Sequence, residues 1–272
     1  MHARIGTGPG DRSMQLNVRA DLLFDFPAGT QAIVSVQAAH SPDQTVLSEQ
    51  LWLPPGIDIL QDLADERGER RFRASFSGET RITYEALADN GQRIALPASA
   101  RKADWMSLPQ NALQYLTPSR YCPSDRFLLF ANREFGGYSD GGAQVLAVLD
   151  WIHTHVDYIA GVSDVETTAE HTFVDRAGVC RDFSHLGITL CRALGIPARA
   201  VSAYAWKLEP PDFHAVFEVY LDGGWWLVDP TRLAPVEGLV RIGVGRDAAD
   251  IAFLTTTGPC TSLSQSVTVT TA

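Results

Sequence analysis

The sequence predicts an α+β fold in two parts, a β-rich first third and a helix–sheet remainder. Three observations carry this. Apolar residues alternate with period two before residue 96. The spacing turns helical beyond residue 124. An Asp222-Gly223 dipeptide, the type I′ hairpin signal, joins two late strands.

Strands come first. Leu16, Val18, Ala20, Leu22, Phe24 and Phe26 alternate with mostly polar neighbours, the mark of a half-buried strand. Ala32, Val34, Val36 and Ala38 repeat the pattern, as do Phe72, Ala74 and Phe76, then Ile82, Tyr84 and Ala86. Pro27-Ala28-Gly29, Ser41-Pro42-Asp43, Pro54-Pro55-Gly56, Gly78 and Asn90-Gly91 are the expected turns. Several short strands at this spacing predict a small β-sandwich-like domain over residues 14–96. Four prolines between 97 and 123 mark a linker. A third part, 124–272, holds the rest. A helix is expected over 124–135, with Ser124 as N-cap and Gly136-Gly137 as the stop. Val145, Leu149, Ile152 and Val156 form one stripe of a second, over 142–157. Thr167-x-x-Glu170 is a capping-box pattern for a short helix that Gly178 would end. Residues 181–194 form the strongest amphipathic helix, closed by Gly195 and Pro197. Strands are expected at 198–206, 214–221 and 225–230, and a last one within the Ser/Thr-rich residues 255–271.

At 272 residues, and roughly 150 per domain, the chain suits one large or two smaller domains. Hydrophobic residues at 45% and charged ones at 20% exclude wholesale disorder. The net charge of −10, without a Lys/Arg cluster, argues against nucleic acid and anionic membrane as partners. No stretch is apolar enough to span a bilayer. Residues 1–10 lack an apolar leader segment, and the regular pattern starts near Met14. Four cysteines make no disulfide framework, and neither CxxC nor HExxH is present. A reducing cytoplasm is the simplest location.

Cys180 is the candidate nucleophile. Gly178 breaks the preceding helix and Cys180 opens the next, where unpaired N–H groups and the positive dipole end favour negative charge. Its own N–H can point at a developing oxyanion. His214, at the start of a strand, is the candidate base. With Asp222-Gly223 as a two-residue loop, Leu221 pairs with Gly224, Val216 with Asp229, and His214 with Thr231. His214 and Asp229 then lie diagonally on one face, roughly 7–8 Å apart at Cα. A carboxylate there orients the imidazole and stabilises its charged form.

Each residue has a plainer role to weigh against this. Cys180 can be a buried thiol, His214 an exposed strand end, and Asp229 a turn-former before Pro230, a role compatible with the catalytic one. His185 is about 500° around the helix from Cys180 and reads as a core or surface histidine. Asp182 complements the helix dipole and is expected to bind Arg199 or Arg192. Cys191 reads as core; Cys122 and Cys260 carry no role. Trp206, Trp225 and Trp226 read as packing, with one of them able to line an acyl groove.

The blocks Gly178-Val179-Cys180-Arg181-Asp182, Arg192-Ala193-Leu194-Gly195-Ile196-Pro197, Phe213-His214-Ala215 and Trp226-Leu227-Val228-Asp229-Pro230-Thr231 resemble the transglutaminase-like superfamily. More narrowly they resemble its bacterial two-domain branch, described as candidate cysteine proteases. The resemblance implies a papain-like α+β core, thioester-mediated acyl transfer from an amide, and no cofactor or metal. It carries the nucleophile to Cys180, the base to His214 and the orienting acid to Asp229. Animal transglutaminases carry a Trp about 36 residues before the Cys, serving the oxyanion; Gln144 stands there, and Gln144 and Trp206 are the substrate-binding candidates. No calcium-loop pattern is present. The expected reaction is hydrolysis of a peptide or isopeptide bond in a peptide or protein substrate. Transamidation comes second, because nothing in the sequence excludes water from a thioester. A non-catalytic peptide-binding module on the same fold is the third reading.

Overall fold

The computed structural model describes residues 13–65 and 67–272, so the reading of residues 1–10 lies outside the described residues. The chain is α+β, as expected. It opens with β1 (Gln15–Val34), β2 (Thr45–Trp52), β3 (Ile59–Gln61) and β4 (Phe72–Asp89). The predicted inward residues of β1 and β4 are buried, from Leu16 to Phe26 and from Phe72 to Ala86. Two expected turns are not turns. Pro27-Ala28-Gly29 and Gly78 fall inside continuous strands of 20 and 18 residues. Phe26 pairs with Gly78, and the register shifts between Phe26 and Thr30. The two interruptions lie opposite each other, so they bend the pair as a bulge instead of ending it, with Gly78 at φ 68°.

Residues 97–123 hold a 3₁₀ turn, Trp105–Ser107, and one helical turn, α1 (Gln110–Leu113). Hydrogen bonds stitch this linker to the helix–sheet part: Gly142 N–H donates to Ala100 O at 2.8 Å and Asp222 N–H to Arg101 O at 2.9 Å. A 3₁₀ turn, Ser124–Phe127, then leads into α2 (Leu128–Phe135), so Ser124 does not cap the α-helix. α3 (Gly141–His155) buries its predicted stripe. β5 (Asp157–Tyr158), α4 (Ala169–Asp175) and β6 (Ala177–Gly178) precede α5 (Cys180–Ala193). The α4 capping box is Thr168 with His171, one residue beyond the predicted pair. Arg176, at φ 56°, ends α4 in place of Gly178. Its guanidinium stacks on the Trp151 and Phe173 rings at 4.7 and 4.6 Å, a contact that compensates the left-handed backbone.

β7 (Ala198–Ala205), β8 (Phe213–Leu221), β9 (Gly224–Val228) and β10 (Leu239–Gly245) form an antiparallel sheet in the order β10-β7-β8-β9. Asp222 and Gly223, at φ 49° and 80°, make the predicted hairpin, and Phe217 pairs with Val228 in the predicted register. β10 was not expected. All seven of its residues are buried, so it carries no period-two signal. α5 lies on this sheet through Phe183, Leu186 and Leu190 against Ala198, Ala200, Phe217 and Val219. Gly187 lets the two approach, since a Cβ there would meet the Phe217 ring at 2.5 Å.

The domain expected over 124–272 needs correcting at its end. β11 (Leu254–Thr256) and β12 (Thr261–Thr271) both pair antiparallel with β1 and complete the six-stranded N-terminal sheet. The two sheets share a core: Tyr204, Val240 and Ile242 pack among the N-terminal apolar residues, and Tyr204 Oη donates to Val36 O at 2.6 Å. Buried Arg241 pairs with Asp43 at 2.9 Å and with fully buried Glu218, which Arg199 also holds at 2.6 Å. Among the described residues, no helix is long and apolar enough to cross a membrane.

Candidate active site

α5 begins where the sequence predicts. Val179 is extended at φ −115°, ψ −177°, and its N–H donates to Asp182 Oδ2 at 2.9 Å. Asp182 is fully buried and pairs with Arg181 at 2.9 Å, not with Arg199 or Arg192. Those two arginines are engaged elsewhere, Arg199 on Glu218 and Arg192 on the carbonyl of Ala198 at 2.9 Å. Gly178 is required by this cap, because a Cβ would come within 2.7 Å of Asp182 Cβ. The result is a half-exposed Cys180 at the first position of a 14-residue helix, beside the helix's free N–H groups.

His214 stands at the start of β8 with its side chain fully buried. Its Nε2 meets Asp229 Oδ2 at 2.9 Å. Among the described residues Nδ1 makes no other hydrogen bond, and it is left to Cys180, whose thiol acts on the ring as a hydrogen-bonding and charged neighbour. Burial opposes the imidazolium, but Asp229 and Cys180 together outweigh it and raise the His214 pKa to about 10. Asp229 is itself held. Oδ1 accepts from Thr231 N–H at 2.9 Å and Thr231 Oγ1 at 2.7 Å, and Oδ2 from Ala234 N–H at 3.1 Å. Burial pushes its pKa up, yet the His214 bond and these donors bring it below the ordinary carboxylate value. Asp229 is thus both the turn-former and the partner of His214.

The substrate-binding candidates sit elsewhere. Gln144 is buried on α3 and its side-chain amide points to Phe135 O at 3.5 Å, closing α2 against α3. Trp206 packs toward the N-terminal core, with Lys207 Nζ over its ring at 4.0 Å and Gly238 against its backbone. A cavity of about 520 Å³ does open beside Asp229, lined by Leu146, Leu149, Lys207, Arg232 and Leu233.

Tyr158 is the neighbour that sequence reasoning missed. It sits on β5, paired with Gly178 of β6 two residues before Cys180, and its phenol is adjacent to that cysteine. A two-residue parallel ladder carries no periodic signal. His185 is a core residue, stacked on Tyr121 at 5.0 Å, accepting from Ala248 N–H at 3.1 Å, with its pKa lowered to about 4 by burial. Cys122 and Cys191 are buried, and burial pushes the Cys122 thiol up to about 12 and Cys191 higher still. Among the described residues no group of three or more His, Cys, Asp or Glu is placed to hold a metal.

A model of the transglutaminase-like superfamily matches residues 130–230. A crystal structure from Cytophaga hutchinsonii, described as a "putative cysteine protease", superposes with a TM-score of 0.90 at 38% identity, covering 96% of this chain and 91% of that one. An uncharacterized protein of Mycobacterium leprae is 29% identical over 174 residues, 59% of this chain and 62% of its own. One from Mycobacterium bovis is 30% identical over 115 residues, 37% of each. The matches thus span less than two thirds of these curated relatives' own lengths. With the papain-like arrangement of α5, β8 and β9 in place, the chain belongs to the transglutaminase-like superfamily.

Proposed function

We propose that this protein is a cysteine peptidase or amidase that hydrolyses a peptide or isopeptide bond through Cys180, His214 and Asp229. The observation that carries the reading is the buried His214–Asp229 pair, with the second ring nitrogen left to a half-exposed cysteine at a helix start. His214, with its raised pKa, already holds the proton at neutral pH, and Cys180 Sγ attacks the carbonyl carbon as the thiolate of that ion pair. The C–N bond breaks as His214 protonates the departing nitrogen. Water then attacks the thioester, neutral His214 takes its proton, and the C–S bond breaks to release the carboxylic acid and restore the thiolate–imidazolium pair. Asp229 holds the ring so that Nδ1 faces sulfur and stabilises the imidazolium. The exposure of Cys180 gives water access to the thioester, which favours hydrolysis over transamidation.

The test is to offer a peptide library, quench in acid and read Cys180 by mass. An acyl adduct on Cys180 that decays to free peptide acid fits the proposal. Decay only when a lysine-like amine is added makes the protein a transamidase. No adduct with any peptide leaves a binding module. We place the chain in a reducing cytoplasm, where its four free cysteines persist; recovery in a periplasmic fraction contradicts this.

A further inference from the structure

An oxyanion formed at Cys180 has one evident donor, the Cys180 backbone N–H, and Gln144 is committed to α2. We propose that Tyr158 is the second donor, its hydroxyl turning onto the substrate carbonyl oxygen as Cys180 attacks. This rests on Cys180 being the nucleophile.

The placement of Tyr158 is fixed by the fold. Asp157 N–H donates to Arg176 O at 2.8 Å and Ile159 N–H to Gly178 O at 2.9 Å, so the backbone on both sides of Tyr158 is tied to the strand that leads into Cys180. The ring leans on Phe183, centroids 5.7 Å apart at 52°. Phe183 lies three residues along α5 from Cys180 and hence close to its face of the helix. The side chain therefore spans the first turn of α5 and is half exposed. Both the Cys180 N–H and its thiol act on the hydroxyl as hydrogen-bonding neighbours, and the Asp212 carboxylate approaches from the loop before β8. A hydroxyl beside Cys180 stands next to where the Cys180 N–H will hold an oxyanion. An arriving carbonyl oxygen takes the N–H, and the freed hydroxyl donates to it. Burial first, and then the neighbouring thiol, raise the Tyr158 pKa to about 12, so the phenol keeps its proton at neutral pH. No bond to Tyr158 is made or broken.

Tyr158→Phe removes only the oxygen and keeps the ring against Phe183. The probes are p-nitrophenyl acetate, whose burst reads acylation, and an N-acylated glycinal, whose aldehyde adds to the thiol and places an oxygen in the hole. Iodoacetamide alkylation of Cys180 is the control, since it forms no oxyanion. The expected result is a loss of about 10²-fold in acylation rate and a weakened aldehyde, with alkylation altered far less than acylation and the melting temperature unchanged. Unchanged acylation and aldehyde affinity overturn the proposal, and so does a gain in either, which marks the hydroxyl as an obstruction. If Cys180 of the unaltered protein is not alkylated faster than Cys260, the nucleophile itself is wrong and the proposal goes with it, a result distinct from either outcome in Tyr158→Phe.

Discussion

His214 and Asp229 form a buried pair whose charge state is set by each other and by Cys180. Burial favours the neutral ring, and the two partners reverse that preference. The histidine's folded pKa, about 10, lies above its unfolded value of 6.5. Its contribution to stability is therefore complete below about pH 6.5 and is lost as pH rises through about 10. Urea titrations at pH 6, 8 and 10 should show stability falling with pH, and His214→Gln should flatten that fall; parallel curves for the two proteins would refute the coupling. Asp229→Asn keeps the shape but cannot hold the imidazolium, so turnover of any peptide found in the acyl-trapping screen should drop by about 10³- to 10⁴-fold with KM little altered. A drop below tenfold would make Asp229 only a turn-former. The pair was legible because Asp222-Gly223 fixes the hairpin register and parity does the rest. Tyr158 was not legible, because it meets Cys180 through a parallel ladder between residues 157–158 and 177–178 that no turn announces. Gln144 and Trp206 have packing partners that the sequence does not announce. Neighbourhood in sequence or alignment position says nothing of which way a side chain packs, and Gln144 packs on Phe135 O.

At the scale of elements, the start of α5 is the decisive construction. Asp182 caps the Val179 N–H, Arg181 neutralises Asp182, and Gly178 leaves room for both. Gly178→Ala forces a contact of 2.7 Å and should destabilise the fold by about 1–3 kcal/mol while slowing acylation, since it shifts the helix start. Asp182→Ala should cost about 1–2 kcal/mol, as a lost N-terminal cap does, or more because Arg181 is stripped of its partner. Chemical denaturation of each variant checks both, and stability equal to the parent would show that the cap is dispensable. Strong periodicity made α3, α5 and the alternating halves of β1 and β4 readable. Boundaries slipped where the backbone chose an unexpected residue, as with Arg176 at the end of α4. β10 escaped notice because complete burial erases the pattern that marks a half-buried strand.

At the scale of the molecule, the N-terminal sheet and the four-stranded sheet are one construction. The C-terminal β12 returns to pair with β1 over ten residue pairs, and Arg241 joins Glu218 of the four-stranded sheet to Asp43 of the N-terminal part. Arg241→Met leaves Glu218 with only Arg199 in a fully buried site, and should cost about 3–5 kcal/mol, read as a lower urea midpoint with a single transition. A mild surface-like effect would mean the network is solvated. A fragment of residues 124–272 should aggregate or fold poorly, because β12 is then a strand without its sheet; a well-folded fragment would restore the boundary read from sequence. That boundary was illegible for a physical reason: a Ser/Thr-rich strand declares its alternation but not its partner, and this partner lies some 240 residues away.

The proposed chemistry turns on one proton, shared between the sulfur of Cys180 and His214. Iodoacetamide labelling at pH 6, resolved cysteine by cysteine by peptide mass, tests it most directly. Cys180 is expected to be alkylated at least about tenfold faster than Cys122, Cys191 and Cys260, and His214→Ala to abolish the advantage. Equal, slow labelling of all four cysteines, or an advantage that survives in His214→Ala, would contradict it.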